Sequence, residues 1–311
     1  MYRVLISSLL FGTMLVLLAC APSTLSRPAD TAISETYIHR EFSVSTPDGV
    51  TIAVEERGLK DGPAIVFIHG LAQSRASWLR QLNSPLAREF HLVAYDLRGH
   101  GRSGRPASDI FYSEGRRWGD ELAAVIEAAH LRRPVIVAWS LGGVVVANYL
   151  RDHGDVNLGG VVFVDAVTNF SPELFGQANS GLTAPLQSPD STLRAEASRQ
   201  FMQACFAVPP QPAEFDLMLN GAGVLPAEVH TAIMRISIDG GDEALRSIRV
   251  PTLVIHGAKD GLALPLMAER TASFVPGARL SIYDKAGHAP FFDDTVRLND
   301  ELSRFVREAN K

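Results

Sequence analysis

Val135-Ile136-Val137-Ala138-Trp139-Ser140-Leu141-Gly142-Gly143 is the stretch on which the fold turns. Its first five residues are apolar without alternation, as a strand covered on both faces requires, and Leu141 to Leu150 reads as a helix. Ser140 therefore falls in a strand-to-helix turn with small residues on both sides. A serine hydroxyl is a weak nucleophile. It has to be presented to substrate, relieved of its proton by a base and placed beside N–H donors that receive an oxyanion. A tight strand–Ser–helix turn meets the first and last of these needs. The usual pattern of such turns is Gly-x-Ser-x-Gly, and Ala138 departs from it by one methyl group.

Working outward, Ala64 to His69, His91 to Asp96, Gly160 to Asp165, Thr252 to His256 and Leu280 to Tyr283 are further short strands, with helix-length segments between most of them. Thr36 to Val44 and Val50 to Arg57 are β-rich and joined by the turn formers Thr46-Pro47-Asp48-Gly49, which reads as a hairpin. Thr295 to Glu308 reads as the last helix, with Val296, Leu298, Leu302, Phe305 and Val306 close to one face. The pattern predicts an α/β fold: a mostly parallel eight-stranded sheet flanked by helices, with right-handed crossovers. From Val167 to Ser247 the strand pattern stops. Leu193 to Cys205, Pro212 to Leu219 and Ala227 to Ile238 have helical character, divided by Pro209-Pro210, Gly221, Gly223 and Gly240-Gly241. The expected organisation is a core over 36–167 and 248–311 with an inserted helical cap over 168–247.

From Thr36 to Glu308 the chain resembles the α/β-hydrolase family. The Ser140 turn resembles that family's nucleophile elbow, and His69-Gly70-Leu71 follows the third strand, where the family places its oxyanion loop. The resemblance implies that the backbone N–H groups of Leu71 and Leu141 form the oxyanion hole. Asp96-Leu97-Arg98-Gly99-His100-Gly101-Arg102-Ser103 matches the family's structural turn after the fourth strand. Val254-Ile255-His256-Gly257-Ala258-Lys259-Asp260 places a carboxylate just after a strand, and Lys285-Ala286-Gly287-His288-Ala289-Pro290-Phe291 presents a histidine after the final one. The order Ser140, Asp260, His288 is the order this fold uses for nucleophile, acid and base. Asp165 is a second candidate for the acid, because some relatives carry it after the sixth strand. The Trp139-to-Gly143 and Ala286-to-Phe291 segments, with Asp260-Gly261-Leu262, also resemble locally the pimeloyl-carrier-protein methyl ester esterases. An Asp at the nucleophile position would have implied dehalogenase or epoxide hydrolase chemistry; Ser140 argues against both.

Other polar residues invite plainer readings. His69, His100 and His256 sit at strand ends or turns and are expected to bond to backbone. Gly99-x-Gly101-x-x-Gly104 has dinucleotide-loop spacing, but Arg105-Pro106 follows where a helix should, so no cofactor is expected. Neither Cys20 nor Cys205 stands in metal-ligand spacing and no His-Glu-x-x-His occurs, so no metal is expected. Trp139, Trp78 and Phe291 serve equally as core or pocket lining.

Met1, Tyr2 and Arg3 precede an apolar stretch from Val4 to Ala19 that ends at Cys20. At 1.5 Å per residue it would cover about 24 Å, short of a bilayer's roughly 30 Å hydrocarbon core, so residues 1–19 read as a signal peptide. Leu17-Leu18-Ala19-Cys20 resembles a bacterial lipobox, which implies lipidation at Cys20 and a lipid-anchored place in the cell envelope; an ordinary secreted form is the alternative. Residues 20–35, rich in Ser, Thr, Ala and Pro, read as a flexible tether. A net charge of −5 with no Lys or Arg run excludes a nucleic-acid partner. The expected activity is hydrolysis of small or medium apolar carboxylic esters through an acyl-enzyme. Lactonase, carbon–carbon hydrolase, iminopeptidase and cofactor-free haloperoxidase are the alternatives within the fold, and a noncatalytic ligand-binding lipoprotein is the alternative outside enzymology. For an apolar acyl site the cap offers Phe201, Met202, Phe206, Phe215, Leu217, Met218, Leu219 and Met234; for an iminopeptidase's amine it offers Glu196, Glu214, Asp216, Glu228 and Asp239.

Overall fold

The computed structural model describes residues 36–311, so the expected signal peptide, Cys20 and the tether lie outside the described residues. Eight strands form one sheet: β1 (Tyr37–Ser45), β2 (Thr51–Leu59), β3 (Ala64–Ile68), β4 (His91–Tyr95), β5 (Val135–Trp139), β6 (Gly160–Val164), β7 (Thr252–Gly257) and β8 (Arg279–Tyr283). Their order is β1-β2-β4-β3-β5-β6-β7-β8. The β1–β2 hairpin pairs antiparallel and β2 joins β4 antiparallel; every later pairing is parallel. Every residue of β3, β4, β5 and β6 is buried, the consequence of covering both faces with helices.

Chain direction across the sheet reverses between β3 and β5. Such a switch point opens a crevice outside the carboxyl ends of the two strands, and here those ends carry Gly70-Leu71 and Ser140. The topology alone thus brings the expected oxyanion loop to the expected nucleophile.

The helices of the core are α1 (Gly115–Ala128), α2 (Gly142–His153), α8 (Pro265–Phe274) and α9 (Thr295–Ala309). On α9 Leu298, Leu302, Phe305 and Val306 face the core, whereas Val296 is 73% exposed and does not belong to that face. Between β6 and β7 run α3 (Gln177–Leu186), α4 (Ser191–Ala204), α5 (Pro212–Ala222), α6 (Ala227–Ile233) and α7 (Gly241–Ser247). Helix α6 is shorter than the sequence pattern predicts. After Met234 the chain leaves the helix to donate Ser237 N–H to the Ser113 carbonyl at 3.1 Å and to receive Asn148 on the Ser237 carbonyl, also at 3.1 Å. Helix α3 has no counterpart in the sequence reading, because Gly181 and Pro185 weaken its pattern. No helix among the described residues is long and apolar enough to cross a membrane.

Candidate active site

Ser140 has φ +53°, the left-handed conformation that costs a non-glycine residue about 1–3 kcal/mol unless its surroundings impose it. The surroundings are on both sides. Ser140 donates its N–H to the Val164 carbonyl at 3.2 Å, and its own carbonyl accepts from Gly143 at 2.9 Å and Val167 at 2.8 Å. A Cβ at Gly143 would lie 2.6 Å from the Val167 carbonyl oxygen, so only glycine lets the new helix come this close to the end of β6. Ala138, the departure from the usual pattern, is fully buried and leaves the strained turn intact.

The oxyanion loop approaches from β3. A Cβ at Gly70 would stand 3.0 Å from Ser140 Cβ and 3.4 Å from its Oγ, which shows how directly the two segments abut. Ala72 follows at φ +53°, its N–H donated to His100 Nε2 at 3.1 Å. His69 and His100 are both fully buried. His69 gives its Nδ1 proton to the Gly70 carbonyl at 2.7 Å and accepts from Leu97 N–H on Nε2 at 2.9 Å; His100 gives Nδ1 to Arg98 O at 2.9 Å. Burial presses His69 down to about 4 and His100 to about 3, the neighbouring His69 adding to the second, so both rings stay neutral and act as backbone anchors. Leu71 and Leu141 line the same cavity as Ser140, with neither N–H engaged by another group among the described residues.

The turn after β4 is structural. Asp96 accepts from Arg75 N–H at 2.8 Å and Arg102 N–H at 2.9 Å, and a Cβ at Gly101 would lie 2.4 Å from that carboxylate. Arg98 binds Glu121 Oε2 at 2.7 Å and Asp48 at 2.8 Å, locking the turn to α1 and the hairpin; burial nevertheless carries Glu121 up to about 7.

His288 and Asp260 meet as the sequence order implies. Nδ1–H of His288 donates to Asp260 Oδ2 at 2.6 Å, and Asp260 Oδ1 accepts from Leu262 N–H at 2.8 Å and Ala263 N–H at 3.1 Å. Burial works against the Asp260 carboxylate, yet the adjacent His288 and His256 outweigh it and hold the group below the ordinary carboxylate range. Asp165, the other candidate acid, sits beside the pair: atoms of Asp165, Asp260 and His288 lie within 4.8 Å of one another. Its Oδ1 accepts from Gly257 N–H at 2.9 Å, its φ is +43° and burial pushes its carboxyl well up. The hydrogen bond to His288 belongs to Asp260. Asp165 secures the end of β7 instead.

Trp139 is core and also support. Its indole N–H donates to the His288 carbonyl at 2.6 Å, and its ring packs edge-on against Phe291 at 4.8 Å, with Trp78 on Phe291 at 4.4 Å. Asp293, at the end of the short helix that follows His288, carries no signal in the sequence. Its carboxylate accepts from Gly287 N–H at 2.8 Å and from Ala207 N–H at 3.0 Å, tying the loop after α4 to the His288 loop.

Ser140 and His288 open into one cavity of about 380 Å³. Of the eight cap residues expected there, Phe201 and Met234 line it and Met202, Phe206, Phe215, Leu217, Met218 and Leu219 do not; Val167, Phe170, Phe175, Ile233, Ile236, Leu262 and Ala263 complete the apolar wall. None of the five candidate cap carboxylates does. Glu214 is paired with Arg80 at 2.6 Å and Glu196 accepts from Gln200 at 2.8 Å.

Fold and family coincide: the model of the family described as alpha/beta hydrolase fold matches residues 63–295, and the chain is a hydrolase belonging to that family. Among its relatives, a bifunctional esterase/perhydrolase of Acinetobacter calcoaceticus is 27% identical over 85% of this chain and 99% of its own length. A non-heme chloroperoxidase of Streptomyces lividans is 28% identical over the same shares. Of solved structures, one from Burkholderia cenocepacia aligns with TM-score 0.84 and 39% identity over 87% of this chain and 99% of that one. An esterase from a Rhodococcus species aligns with TM-score 0.79 and 29% identity over 86% and 98%.

Proposed function

We propose that this hydrolase is a serine esterase acting on small or medium uncharged apolar carboxylic esters. One observation carries the reading: in the cavity that joins Ser140 to His288, those two are the only polar side chains among the lining residues. A substrate carboxylate or ammonium would leave water there without a partner, at a cost of several kcal/mol. An iminopeptidase is disfavoured on the same ground. An acyl or aryl group, by contrast, would gain roughly 25 cal/mol for each Å² of apolar surface it buries. The esterase names of relatives in Acinetobacter and Rhodococcus agree with this reading.

In mechanism, His288 Nε2 removes the Ser140 proton as Oγ bonds to the ester carbonyl carbon. The carbonyl electron pair moves onto oxygen, between the N–H groups of Leu71 and Leu141. Each such donor contributes about 3–4 kcal/mol to the transition state. The imidazolium, held by Asp260, then protonates the departing alkoxide, leaving an acyl-Ser140 and a free alcohol. Water, deprotonated by His288, attacks the acyl carbon; the acid leaves as Ser140 recovers its proton.

The test is a nitrophenyl ester series from acetyl to dodecanoyl, with lactones alongside, on the wild type and Ser140→Ala. The reading expects turnover peaking at short or medium chains and abolished in the variant. A wild type inert to the whole panel contradicts it and favours a ligand-binding role. We further propose that Cys20 is lipidated, anchoring the enzyme to an envelope membrane. Radiolabelled palmitate on the wild type and none on Cys20→Ser is the expected result; label on both or on neither contradicts it.

A further inference from the structure

The acid of the Ser140 site carries two imidazoles. His256, at the end of β7, is fully buried, and its Nε2 stands 3.3 Å from Asp260 Oδ2, the oxygen that His288 Nδ1 meets at 2.6 Å. The same Nε2 lies 2.9 Å from the Ala263 carbonyl and 3.6 Å from Asp165 Oδ1. Three acceptors face this nitrogen, so it holds a proton and donates. Nδ1 of His256 has no partner among the described residues, so the ring's polar contacts all lie on the triad side. Asp260 is thereby crowded: two backbone N–H groups bond Oδ1, His288 Nδ1–H bonds Oδ2, and His256 Nε2, its proton on the Ala263 carbonyl, stands 3.3 Å from Oδ2.

We propose that His256 is a positioning residue of the triad: anchored by Nε2–H on the Ala263 carbonyl, its ring is held against the Asp260 oxygen that receives His288 and thereby sets how strongly that carboxylate holds the imidazolium formed during catalysis. This rests on the reading of Ser140, Asp260 and His288 as an acyl-transfer triad. An anchor for the strand end alone would need only the Ala263 carbonyl. The second contact, on Oδ2, does something more. It fixes the carboxylate's rotation and draws on its charge, so that His288 receives a weaker and better-aimed acceptor than an isolated Asp260 would give.

The charged and titratable surroundings fit this role. Asp165 comes from the end of β6, Asp260 and His288 from the loops after β7 and β8, and Asp293 and Cys205 complete the shell from the short helix after His288 and the end of α4. Burial opposes a charge on His256, but Asp165 and the contact with Asp260 outweigh it and raise the ring above its ordinary value. Burial also pushes the Asp165 carboxyl well up, so Asp165 and His256 compete for one proton. Cys205, also pushed up by burial, remains a thiol.

The variants are His256→Leu, which removes the donor, and His256→Gln, whose amide N–H₂ reaches toward the same place. They are compared with wild type by thermal melt and then by the pH profile of kcat/KM on a short nitrophenyl ester. In His256→Leu the proposal expects kcat to fall about tenfold with KM nearly unchanged, and the acid limb to move up by about half to one pH unit, because Oδ2 then serves His288 alone. His256→Gln should recover kcat to within about threefold of wild type. Proton NMR of the buried imidazole N–H of His288 gives a readout that needs no substrate: its low-field signal should shift in His256→Leu and largely return in His256→Gln. An unmoved acid limb, or a signal unchanged in both variants, overturns the proposal. Wild type that turns over no ester but still shows the NMR shift would sink the triad reading and leave the His256 contact standing.

Discussion

Gly70→Ala isolates the geometry of the oxyanion hole from its chemistry. The new methyl would sit 3.0 Å from Ser140 Cβ, 3.3 Å from the Trp139 ring and 3.4 Å from Ser140 Oγ. Carbon–carbon contacts are at their best near 3.5–4.0 Å, so relief requires a shift of about half an ångström. Trp139 cannot yield easily: its ring is wedged against Phe291 and its N–H is fixed on the His288 carbonyl. Ser140 is held by three backbone hydrogen bonds. The displacement therefore falls on the Gly70-Leu71 loop, which carries one of the two inferred donors. Removing such a donor outright costs about 10²–10³ in kcat; half an ångström moves it to the edge of its useful range, so kcat should drop about 10- to 100-fold. Overpacking adds about 1–3 kcal/mol of destabilisation. Steady-state kinetics on a short-chain ester, paired with urea unfolding, reads both. A kcat within twofold of wild type in a folded variant would refute the placement of the Leu71 donor.

The acid assignment separates two adjacent carboxylates: Asp260→Asn should lower kcat by about 10³–10⁴ through loss of the His288 tautomer, whereas Asp165→Asn, which keeps the Gly257 bond, should cost less than about fivefold. Equal losses, or the reverse ranking in steady-state kinetics, would transfer the role to Asp165. The fold should also be acid-sensitive. His69, His100 and His230 are pressed to about 4, 3 and 4 by burial, below the roughly 6.5 of an unfolded chain, so the unfolded state takes up protons first. Their stabilisation is complete above 6.5 and lost as pH falls from there toward the folded values, by about 1–2 kcal/mol each at pH 5.5. Glu121, raised to about 7, runs the other way, its penalty shrinking as pH falls from 7 toward its unfolded value, and leaves a net loss of about 2 kcal/mol between pH 7.5 and 5.5 from these four groups. A urea midpoint that does not fall over that interval contradicts this. Asp293→Ala, which frees the Gly287 and Ala207 N–H groups, should destabilise by about 1–3 kcal/mol and lower kcat, with Asn restoring most of both. If kinetics and melting show Asn to be as poor as Ala, the carboxylate acts by charge rather than as an acceptor.

The legible part of this protein is local. Strands β3 to β7 announce themselves because both faces are covered, and the Ser140 turn because its small neighbours stand beside a serine at a strand's end. Asp260 and His288 are legible by place and order, although only the 2.6 Å hydrogen bond separates Asp260 from Asp165. What was illegible depends on meetings distant in sequence. The backbone bond expected of His256 is there, on Ala263, but Asp293 looks like a surface acid until residues 207 and 208, just after α4, meet it. Helix α6 stops short of Ser237, whose N–H goes to the Ser113 carbonyl and whose carbonyl accepts from Asn148, residues far away along the chain. The same holds for the pocket: Phe170, Phe175 and Ile236 carry no periodic signal and become lining only through the path of the segment between β6 and β7.

The central claim is that Ser140, activated by His288 on Asp260, forms a covalent acyl-enzyme. Intact-mass and peptide mapping after a fluorophosphonate probe tests it most directly. One adduct per chain on Ser140, formed at a rate that falls by two orders of magnitude or more in His288→Ala, is the predicted result. Labelling at another residue, or a folded wild type that takes no label, would contradict it.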